Sequence, residues 1–534
     1  LEENGFLKFD FLGLKQMKMV ENCIRRILKK ETGKAPTFAD IKRFYDEKLN
    51  CRYVDPDDQS VFDNVYKKGK WPGIFQFTSS GARKFCKDAQ VNNVTELAAV
   101  TAIYRPGPLK ANVHRDYVKA KANPAAQVYD HPVIKEVLEE TCGFIVFQES
   151  FMLLAVKLAG FTEGDSDKMR KTLVKKDLTS LGKKSSEKEA LEKKFVDGCV
   201  EKSGMNRKKA QDLFDKIAYF SLYGFNKSHA IAYAIDSYYG AWLMTHYEKE
   251  WLATVLETEN GSPKGLSRAL AEIKEMGHAI AKVDVNYSDF EWTFAEAANA
   301  FVPPMAAVKG IGKVAMREII NERPFKTLDE MFFDENGNWK LSKANKTALK
   351  ALCKIEAMDS LEDIHNGSVL NYRQLLFALT DDKNYIKLKR GNLGMTAAAI
   401  KKANKLGEVP PLFLETELAR FADISDWTRA EKVEMSYDLT SAANTELLFP
   451  PKLMAHLKSK GIPKLHDIPQ GHEGIGWMCI ETIQRKKTKN GKPFMRCRVI
   501  DDESRIAWLR VWGKEKIKVE PYTLWLTYTK HDAD

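Results

Sequence analysis

The sequence predicts a multidomain α+β protein. Its 534 residues, of which 44% are hydrophobic and 29% are charged, suffice for three or more domains with buried cores. From about residue 57 to residue 257 the apolar residues recur with the spacing of amphipathic helices, interrupted at Pro and Gly. From about residue 471 the spacing changes to every second residue, which predicts strands. Helical and β-rich segments therefore follow one another along the chain.

The chain opens on an apolar run over residues 5–14 that contains one lysine and one aspartate. Such a run is typical of a buried strand. Residues 15 to about 50 are predicted to be helical. The chain begins at Leu1 without an initiator methionine and enters the strand at once. We therefore expect it to have been cut from a longer polypeptide.

The middle of the chain contains a second helical region. Residues 285–360 are predicted to form a compact unit centred on residues 308–312, with a helix over residues 313–321. Residues 361–470 are less regular and include two Pro-rich patches.

The last segment is predicted to begin with a β-hairpin. Asn490-Gly491 separates two alternating runs, residues 479–488 and 494–500, and this dipeptide predicts a type I′ turn. Further strands are expected over residues 508–512 and 524–528.

Composition narrows the classes of function. Lys and Arg number 84 against 73 Asp and Glu, a formal charge of +11, which fits a polyanionic partner but is shared by proteins without one. The eight cysteines are scattered, with no CxxC pair and no zinc-ligand spacing, which indicates reduced thiols in a cytoplasmic protein and no zinc. No apolar run is long enough for a membrane span, and no signal peptide is visible, so no membrane partner is expected.

Asp10 is the first candidate site residue, because an unpaired carboxylate in an apolar strand is costly to bury. It either pairs with Lys8 or another neighbour, or serves as a metal ligand. Phosphoryl-transfer enzymes hold two Mg²⁺ ions about 4 Å apart with such carboxylates.

A basic cluster follows in residues 164–176. On a helix Arg170 and Lys171 are adjacent, and Lys175 lies one turn after Lys171. A triphosphate requires such cations, since the Arg fork grips phosphate oxygens and Lys supplies a point charge. A solvated basic helix face is the alternative.

Four consecutive polar residues, Asn226, Lys227, Ser228 and His229, lie between apolar helical stretches. They are suited to meet a ligand at a helix start. A single histidine in such a place is more often structural, but four polar groups in a row favour a site.

Lys309, Gly310, Gly312 and Lys313 form a helix-hairpin-helix signature. Its glycines allow the backbone to approach a DNA phosphate, which N–H groups at the helix start then bind. The same short motif also serves as a plain turn.

Residues 484–498 contain seven Lys or Arg and no acidic residue, with Phe494 inside the segment and Trp508 nearby. Basic strands with aromatic residues are what an OB barrel offers to a single strand. A charged hairpin edge that prevents aggregation is the alternative. The predicted DNA contacts are Arg485, Lys486, Lys487, Lys489 and Lys492.

Taken together and in order, these motifs resemble the C family of DNA polymerases. The resemblance is carried by residues 8–14 (KFDFLGL), 73–81 (GIFQFTSSG), 104–109 (YRPGPL), 143–149 (GFIVFQE) and 224–230 (GFNKSHA). Ordered agreement over so much of the chain is far more specific than any single motif.

The resemblance implies a role for each matched position. Asp10 would be the third carboxylate of a site for two Mg²⁺ ions, and Lys8 would point toward the phosphates. Arg170 and Lys171 would grip the incoming triphosphate, with Lys171 standing where the family usually has a second Arg. Ser228 and His229 would lie by the sugar and help to exclude ribonucleotides. The nucleotide pocket would be completed by Asn226, Lys227, Tyr104 and Arg105.

The resemblance also implies an organisation. Residues 1–14 would be the last palm strand, 15–290 the mostly helical fingers, 291–470 a helix-hairpin-helix, clamp-binding-type domain, and 471–534 a truncated OB-fold domain. The family's first two catalytic aspartates lie upstream of the segment that matches this chain. Where the family often carries a Gln-led clamp-binding peptide, residues 418–424 do not match it.

The implied function is part of a DNA-directed DNA polymerase that performs template-directed nucleotidyl transfer. The expected partners are primer–template DNA, deoxynucleoside triphosphates, the missing amino-terminal part of the polymerase, a sliding clamp and other replisome subunits. The chain alone is expected to be inactive. The alternative is a non-catalytic nucleic-acid-binding protein that retains the helix-hairpin-helix and OB modules.

Overall fold

The computed structural model describes residues 13–174, 186–221, 224–334, 338–365, 371–381, 418–440, 448–488, 490–502, 506–512 and 521–531, with Lys405 and Val519. Lys8, Asp10 and Lys489 lie outside these residues. The chain divides into two compact units, Leu1–Leu252 and Ala253–Asp534. The division falls within the segment 15–290 that the sequence assigns to one domain, and the domain assignment itself stays a prediction.

The first unit is built from amphipathic helices, as α1 illustrates. Its buried residues lie one, three or four positions apart and form a single apolar stripe. They are Met19, Val20, Cys23, Ile24 and Ile27. The helix ends at Gly33, whose φ of 69° is the left-handed conformation that favours glycine after a helix.

The helices of this unit follow one another along the chain. They are α1 (Lys15–Thr32), α2 (Phe38–Lys48), α3 (Gln59–Val61), α4 (Ser80–Ala89), α5 (Val94–Ile103), α6 (Pro106–Lys110), α7 (Val113–Ala122), α8 (Pro132–Leu138), α9 (Gln148–Ala159), α10 (Glu163–Val174), α11 (Ser186–Ser203), α12 (Arg207–Ser221) and α13 (Lys227–His246). The next helix, α14 (Glu248–Glu259), crosses the boundary between the units.

Two packing arrangements position the candidate site in this unit. Helices α8 to α12 share one apolar core, with Phe151 and Phe195 fully buried inside it. Helix α13 packs against α5 and α1. At Gly240 on α13 a Cβ atom would lie 2.6 Å from Gln16 Nε2 and 3.0 Å from the Trp251 ring, so only glycine allows this close approach.

The second unit contains a small sheet and a series of short helices, and buried residues between positions 283 and 379 form most of one apolar core. Strands β1 (Ala279–Ile280), β2 (Thr293–Ala295) and β3 (Ala300–Val302) pair in the order β1-β3-β2. The helices are α15 (Pro263–Glu275), α16 (Lys313–Glu322), α17 (Leu328–Phe332), α18 (Lys346–Lys354), α19 (Glu362–His365), α20 (Tyr372–Thr380), α21 (Arg429–Thr440) and α22 (Pro451–Ser459).

The end of the second unit is a four-stranded antiparallel sheet in the order β6-β5-β4-β7. Its strands are β4 (Glu473–Lys487), β5 (Pro493–Ile500), β6 (Ile506–Trp512) and β7 (Thr523–Lys530). The register of β4 against β5 shifts between Ile480 and Thr482, a β-bulge. One face buries Met495, Cys497 and Val499, and part of the other packs on α21 and α22.

The structure confirms a largely helical chain with a β-rich end, and it confirms the four strands predicted after residue 471. The predicted type I′ turn is wrong. The Gly491 N–H donates to the Thr488 carbonyl at 3.0 Å, and the Thr488 N–H donates to the Lys492 carbonyl at 2.9 Å. Gly491, with φ 78°, therefore closes a longer turn instead of occupying the centre of a two-residue one. The palm strand and closure into an OB barrel stay predictions.

Candidate nucleotide and DNA sites

The polar string forms the start of helix α13. Asn226 caps the helix, and its Oδ1 accepts the His229 N–H at 2.8 Å and the Ser228 hydroxyl at 2.7 Å. Asn226, Ser228 and His229 are all exposed. These polar residues thus lie exposed at the start of a helix, as the sequence predicts.

A short backbone bridge ties this helix start to the start of α9. Phe147 and Phe225 form a parallel β-bridge. The Phe225 N–H donates to the Val146 carbonyl at 3.1 Å, and the Gln148 N–H donates to the Phe225 carbonyl at 2.9 Å. The Gln148 side-chain amide also donates to the Gly224 carbonyl at 3.1 Å. Two segments far apart in sequence are thus held in one register.

The Glu149 carboxylate lies beside the same helix start and accepts two hydrogen bonds there. The Asn226 side-chain amide donates to Oε1 at 2.8 Å, and the Lys227 N–H donates to Oε2 at 2.8 Å. The Lys227 ammonium instead pairs with Glu140 at 2.5 Å. A carboxylate next to the first N–H groups of a helix is a favourable arrangement.

The basic pair of α10 is held by an acidic neighbour one turn earlier. Arg170 Nε and Nη2 donate to Asp167 Oδ1 at 3.0 and 2.7 Å, while Lys171 Nζ lies 2.7 Å from Oδ2. Hydrogen bonds from Lys171 and Arg170 lower the pKa of Asp167. The remaining Nη1 of Arg170 reaches Gln148 Oε1 at 3.5 Å, the outer limit of a hydrogen bond. Arg170 is half-buried, and Lys171 is exposed.

Tyr104 and Arg105 point to different neighbours. The Arg105 guanidinium lies 4.5 Å over the Phe225 ring, and burial lowers the pKa of Arg105. Tyr104 packs instead against the start of α4, where a side chain on Gly81 would collide with its hydroxyl, and near the Phe85 ring. Arg105 therefore borders the α13 start, and Tyr104 supports a neighbouring helix.

The structure thus brings several predicted residues together and leaves others apart. Arg105 and His229 both lie against the Phe225 ring, while Gln148 contacts Arg170 and the Gly224 carbonyl just before α13. Gln148, Glu149 and Asp167 were not predicted as site residues. Asp167 was predictable from the sequence, because it stands three and four positions before the basic pair on a helix.

The predicted metal site lies outside the described part of the chain, because Asp10 does. Among the residues that the structure describes, no group of three or more His, Cys, Asp or Glu side chains is placed to hold a metal ion.

The helix-hairpin-helix residues lie together in the second unit. Gly310 has φ 98°, and Gly312 is the residue before the first turn of α16. Lys309 and Lys313 are exposed on either side of the turn. The Lys309 N–H donates to the Leu439 carbonyl at 2.8 Å, which fixes the hairpin against the end of α21.

The outer face of β5 and β6 carries alternating aromatic and basic residues, here called the aromatic–basic ladder. The residues paired across the two strands are Phe494 with Trp512, Arg496 with Arg510, and Arg498 with Trp508. Phe494 and Trp512 stack with ring centroids 4.9 Å apart, and the Arg496 guanidinium lies 4.0 Å over the Trp508 ring. Both tryptophans are nearly half exposed, Trp508 at 46% and Trp512 at 45%.

The predicted basic residues of the hairpin divide between the two faces. Lys486 pairs with Phe494 and shares the face of the ladder, whereas Arg485 and Lys487 lie on the opposite face by alternation. Lys492 lies 5.8 Å from the Trp512 ring. Arg496, Arg510 and Trp512 were not predicted as site residues, although the sequence shows their period-two spacing from Phe494 and Trp508.

Comparison with known proteins gives two family models. Residues 34–203 match the model described as the bacterial DNA polymerase III alpha subunit finger domain, and residues 269–366 match a helix-hairpin-helix motif. The first match contains Arg105 and Arg170, the second contains residues 309–313, and residues 226–229 lie outside both.

Several curated relatives share most of the chain, and each is named DNA polymerase III subunit alpha. The Aquifex aeolicus protein is 34% identical over 364 residues, which is 67% of this chain and 29% of the relative. The Treponema pallidum protein is 29% identical over 439 residues, 82% of this chain and 34% of the relative. The Pseudomonas aeruginosa protein is 30% identical over 383 residues, 70% of this chain and 30% of the relative. The chain thus spans about a third of the length of these relatives.

Within the described part of the chain, no helix combines the length and the apolar character that crossing a membrane requires.

Proposed function

Because the chain belongs to the family of bacterial DNA polymerase III alpha subunits, we propose that it forms part of a DNA-directed DNA polymerase that performs template-directed nucleotidyl transfer in replication. The observation that carries the proposal is the convergence of Arg105, Arg170 and the exposed start of α13 on Gln148 and Phe225. Arg105 contacts Phe225, and Arg170 reaches Gln148, which bonds Gly224. Two cations therefore border an exposed polar helix start, an arrangement suited to a nucleoside triphosphate.

In this proposal the residues bind and orient the incoming nucleotide. Arg170 and Lys171 exchange their bonds with Asp167 for bonds with triphosphate oxygens. Ser228 and His229 lie along the sugar, and Asn226 and Lys227 complete the pocket with Arg105. Tyr104 supports the pocket from outside, through its packing on the start of α4. Lys8 is assigned to the phosphates. These groups act mainly by positioning and by charge, which are the main contributions a protein makes to phosphoryl transfer.

Mg²⁺ is the proposed cofactor, and Asp10 is assigned to its site. When bound, two such ions would lower the energy of the attacking and leaving oxygens. One carboxylate is not enough to hold two ions. We therefore propose that the further carboxylates come from palm segments of the polymerase that the matched region does not include.

The second unit is proposed to hold DNA. Lys309, Gly310, Gly312 and Lys313 would bind a backbone phosphate through the exposed hairpin before α16. The aromatic–basic ladder and the hairpin lysines would bind single-stranded template by stacking and charge, as the outer face of an OB barrel does.

The partners proposed for the assembled protein are primer–template DNA, deoxynucleoside triphosphates and the remaining polymerase segments, in the bacterial cytoplasm. A sliding clamp and other replisome subunits are further proposed partners, through the segment 291–470.

The experiment is primer extension by the polymerase polypeptide that contains this chain, with Arg170→Ala and Lys171→Ala. A lost charge-assisted hydrogen bond costs about 1.5–3 kcal/mol, so Arg170→Ala should lower kcat/KM about 10- to 100-fold. We expect a higher KM and a lower kcat, because the phosphate charge redistributes in the transition state. Lys171→Ala should show the same changes more weakly, since its side chain is more exposed.

Lys202→Ala, which alters an exposed lysine at the end of α11, is the control and should leave both constants unchanged. Wild-type kinetics in both site variants would show that the basic pair is a solvated helix face. Absence of templated extension by the wild-type polypeptide, with DNA binding retained, would favour a non-catalytic nucleic-acid-binding protein.

A further inference from the structure

We propose that Glu149 is a positioning residue for sugar selection: it orients the Asn226 side-chain amide and, through it, the Ser228 hydroxyl. The inference deepens the proposed function and rests on it, because it assigns the selectivity of that site to a carboxylate that need not touch the nucleotide. The observations that carry it are the directions of four hydrogen bonds around Asn226.

The first two bonds end on Glu149. Its Oε1 accepts the Asn226 Nδ2 group at 2.8 Å, and its Oε2 accepts the Lys227 backbone N–H at 2.8 Å. A carboxylate only accepts hydrogen bonds, so Asn226 has to present its NH₂ group to Glu149 and its carbonyl oxygen to the other side. The orientation of the amide is thereby determined by the network.

The other two bonds end on that carbonyl oxygen. Asn226 Oδ1 accepts the His229 N–H at 2.8 Å and the Ser228 hydroxyl at 2.7 Å. The Ser228 proton is directed at Asn226, and only the lone pairs of Ser228 Oγ remain for a ligand. The hydroxyl and the first turn of α13 are consequently held in one arrangement.

Glu149 is itself held by rigid elements. It is half-buried in the first turn of α9, next to the bridge that joins Phe147 to Phe225. A site that excludes a sugar with one extra hydroxyl needs its wall placed to within a fraction of an ångström, which requires such a supporting residue. The predicted sugar contacts are exposed and gain this support from Glu149.

Glu149→Gln tests the relay, because it keeps the shape and exchanges one acceptor for a donor. The Lys227 N–H and the Asn226 NH₂ group both require an acceptor, and a glutamine side chain offers one oxygen. Asn226 then either loses its bond or turns its amide, which removes Oδ1 from His229 and Ser228. The double variant Glu149→Gln/Asn226→Asp exchanges the two groups and restores all four bonds, since the carboxylate introduced at position 226 accepts from the amide introduced at position 149 and still caps the helix.

The measurement is kcat/KM for a deoxynucleotide and for the matching ribonucleotide, in the polymerase polypeptide that contains this chain. We expect Glu149→Gln to lower the deoxy-over-ribo preference about tenfold, the effect of one lost hydrogen bond to a charged group. The double variant should recover the preference. Glu140→Gln is the matched control: Glu140 accepts from the Lys227 ammonium and not from Asn226, so it should alter both nucleotides equally and leave the preference unchanged.

Hydrogen exchange on residues 1–534 provides a second readout that requires no catalysis. The His229 amide should exchange faster in Glu149→Gln, because a turned Asn226 amide no longer accepts it, and should return to the wild-type rate in the double variant. The Lys227 amide keeps the glutamine oxygen as its acceptor and should change little. An unchanged preference or unchanged His229 exchange in Glu149→Gln, or failure of the double variant to restore both, overturns the relay. A wild-type polypeptide that does not select nucleotides, while its exchange responds as expected, would overturn the proposed function instead.

Discussion

His229 shows how the neighbours of a residue decide what its side chain can do. Its ring lies 4.2 Å from the Tyr233 ring and 5.5 Å from the Phe225 ring, measured between centroids. The Phe225 ring is in turn covered by Arg105. A ring supported on two aromatic residues is held in place, which suits the role of a wall in the proposed sugar site.

The first prediction at this scale concerns that wall. His229→Ala in the polymerase polypeptide should relax the preference for deoxynucleotides about tenfold, because it removes the ring that excludes the extra hydroxyl. His229→Phe keeps a ring on Tyr233 and should retain most of the preference. The measurement is incorporation of matched deoxy- and ribonucleotides. Full selectivity in a folded His229→Ala protein would remove His229 from this role.

The sequence reveals an interaction in the site only when the two bonded residues lie close together along the chain. Asp167 and Arg170 are three positions apart on α10, so helix geometry alone predicts their ion pair. Glu149 and Asn226 are 77 positions apart, and only the packing of α9 on the chain before α13 joins them. The polar residues 226–229 could therefore be predicted from the sequence, but Glu149, which supports them, could not.

At the scale of secondary structure the aromatic–basic ladder depends on register. Alternate residues of a strand share one face, and the antiparallel pairing of β5 with β6 sets Phe494 beside Trp512 and Arg498 beside Trp508. The opposite face is used for the core, with Cys497 and Val499 fully buried. The ladder side, which is exposed at Trp508 and Trp512, is the surface that the proposed function assigns to single-stranded DNA.

We predict that Trp508→Ala and Trp512→Ala each weaken the binding of single-stranded DNA. A base stacked on an aromatic side chain contributes about 1–3 kcal/mol, so affinity should fall about 5- to 150-fold per substitution. Tyr528→Ala is the control, since Tyr528 is an exposed aromatic residue on β7 that lies outside the ladder. Fluorescence anisotropy with a labelled oligonucleotide measures the effect, and equal affinities in all three variants would contradict the assignment.

The strands were predictable because alternation is a local signal, and the turn was not predicted correctly. Asn490-Gly491 is typical of a two-residue turn, but the bonds between Thr488 and Lys492 close the hairpin one residue further out. The ladder itself requires two strands to be paired in a known register. A single-strand pattern suggested Phe494 and Trp508 but could not select their partners.

At the scale of the whole molecule the two compact units carry different parts of the proposed function. The unit Leu1–Leu252 contains the residues assigned to the nucleotide, and the unit Ala253–Asp534 contains the hairpin and the ladder assigned to DNA. The sequence predicted helical and β-rich regions in this order. The boundary between the units falls within α14. It is set by long-range packing, so no local feature of the sequence marks it.

The last prediction follows from this separation and concerns residues 1–534 used alone. Extension of a primer needs two Mg²⁺ ions, and these need more than one carboxylate. Asp10 is the one position of this sequence matched to the family's metal site, and the resemblance places the family's other two catalytic aspartates upstream of the matched segment. Residues 1–534 alone should therefore fail to extend a primer. Addition of the family's upstream palm segment, covalently or as a separate chain, should restore synthesis.

DNA binding should behave differently, because the hairpin before α16 and the ladder do not depend on the metal site. Residues 1–534 should bind primed or single-stranded DNA weakly, with an affinity that falls as salt rises and counterions are released. If about four phosphates are contacted, the slope of log affinity against log salt should be about −3.

A primer-extension assay run beside a salt titration tests both predictions for residues 1–534. Robust synthesis by residues 1–534 alone would place the metal site elsewhere in the chain. If binding is absent, or if its affinity does not change with salt, the proposed role of the second unit in holding DNA is contradicted, because phosphate contacts by its exposed cations would release counterions.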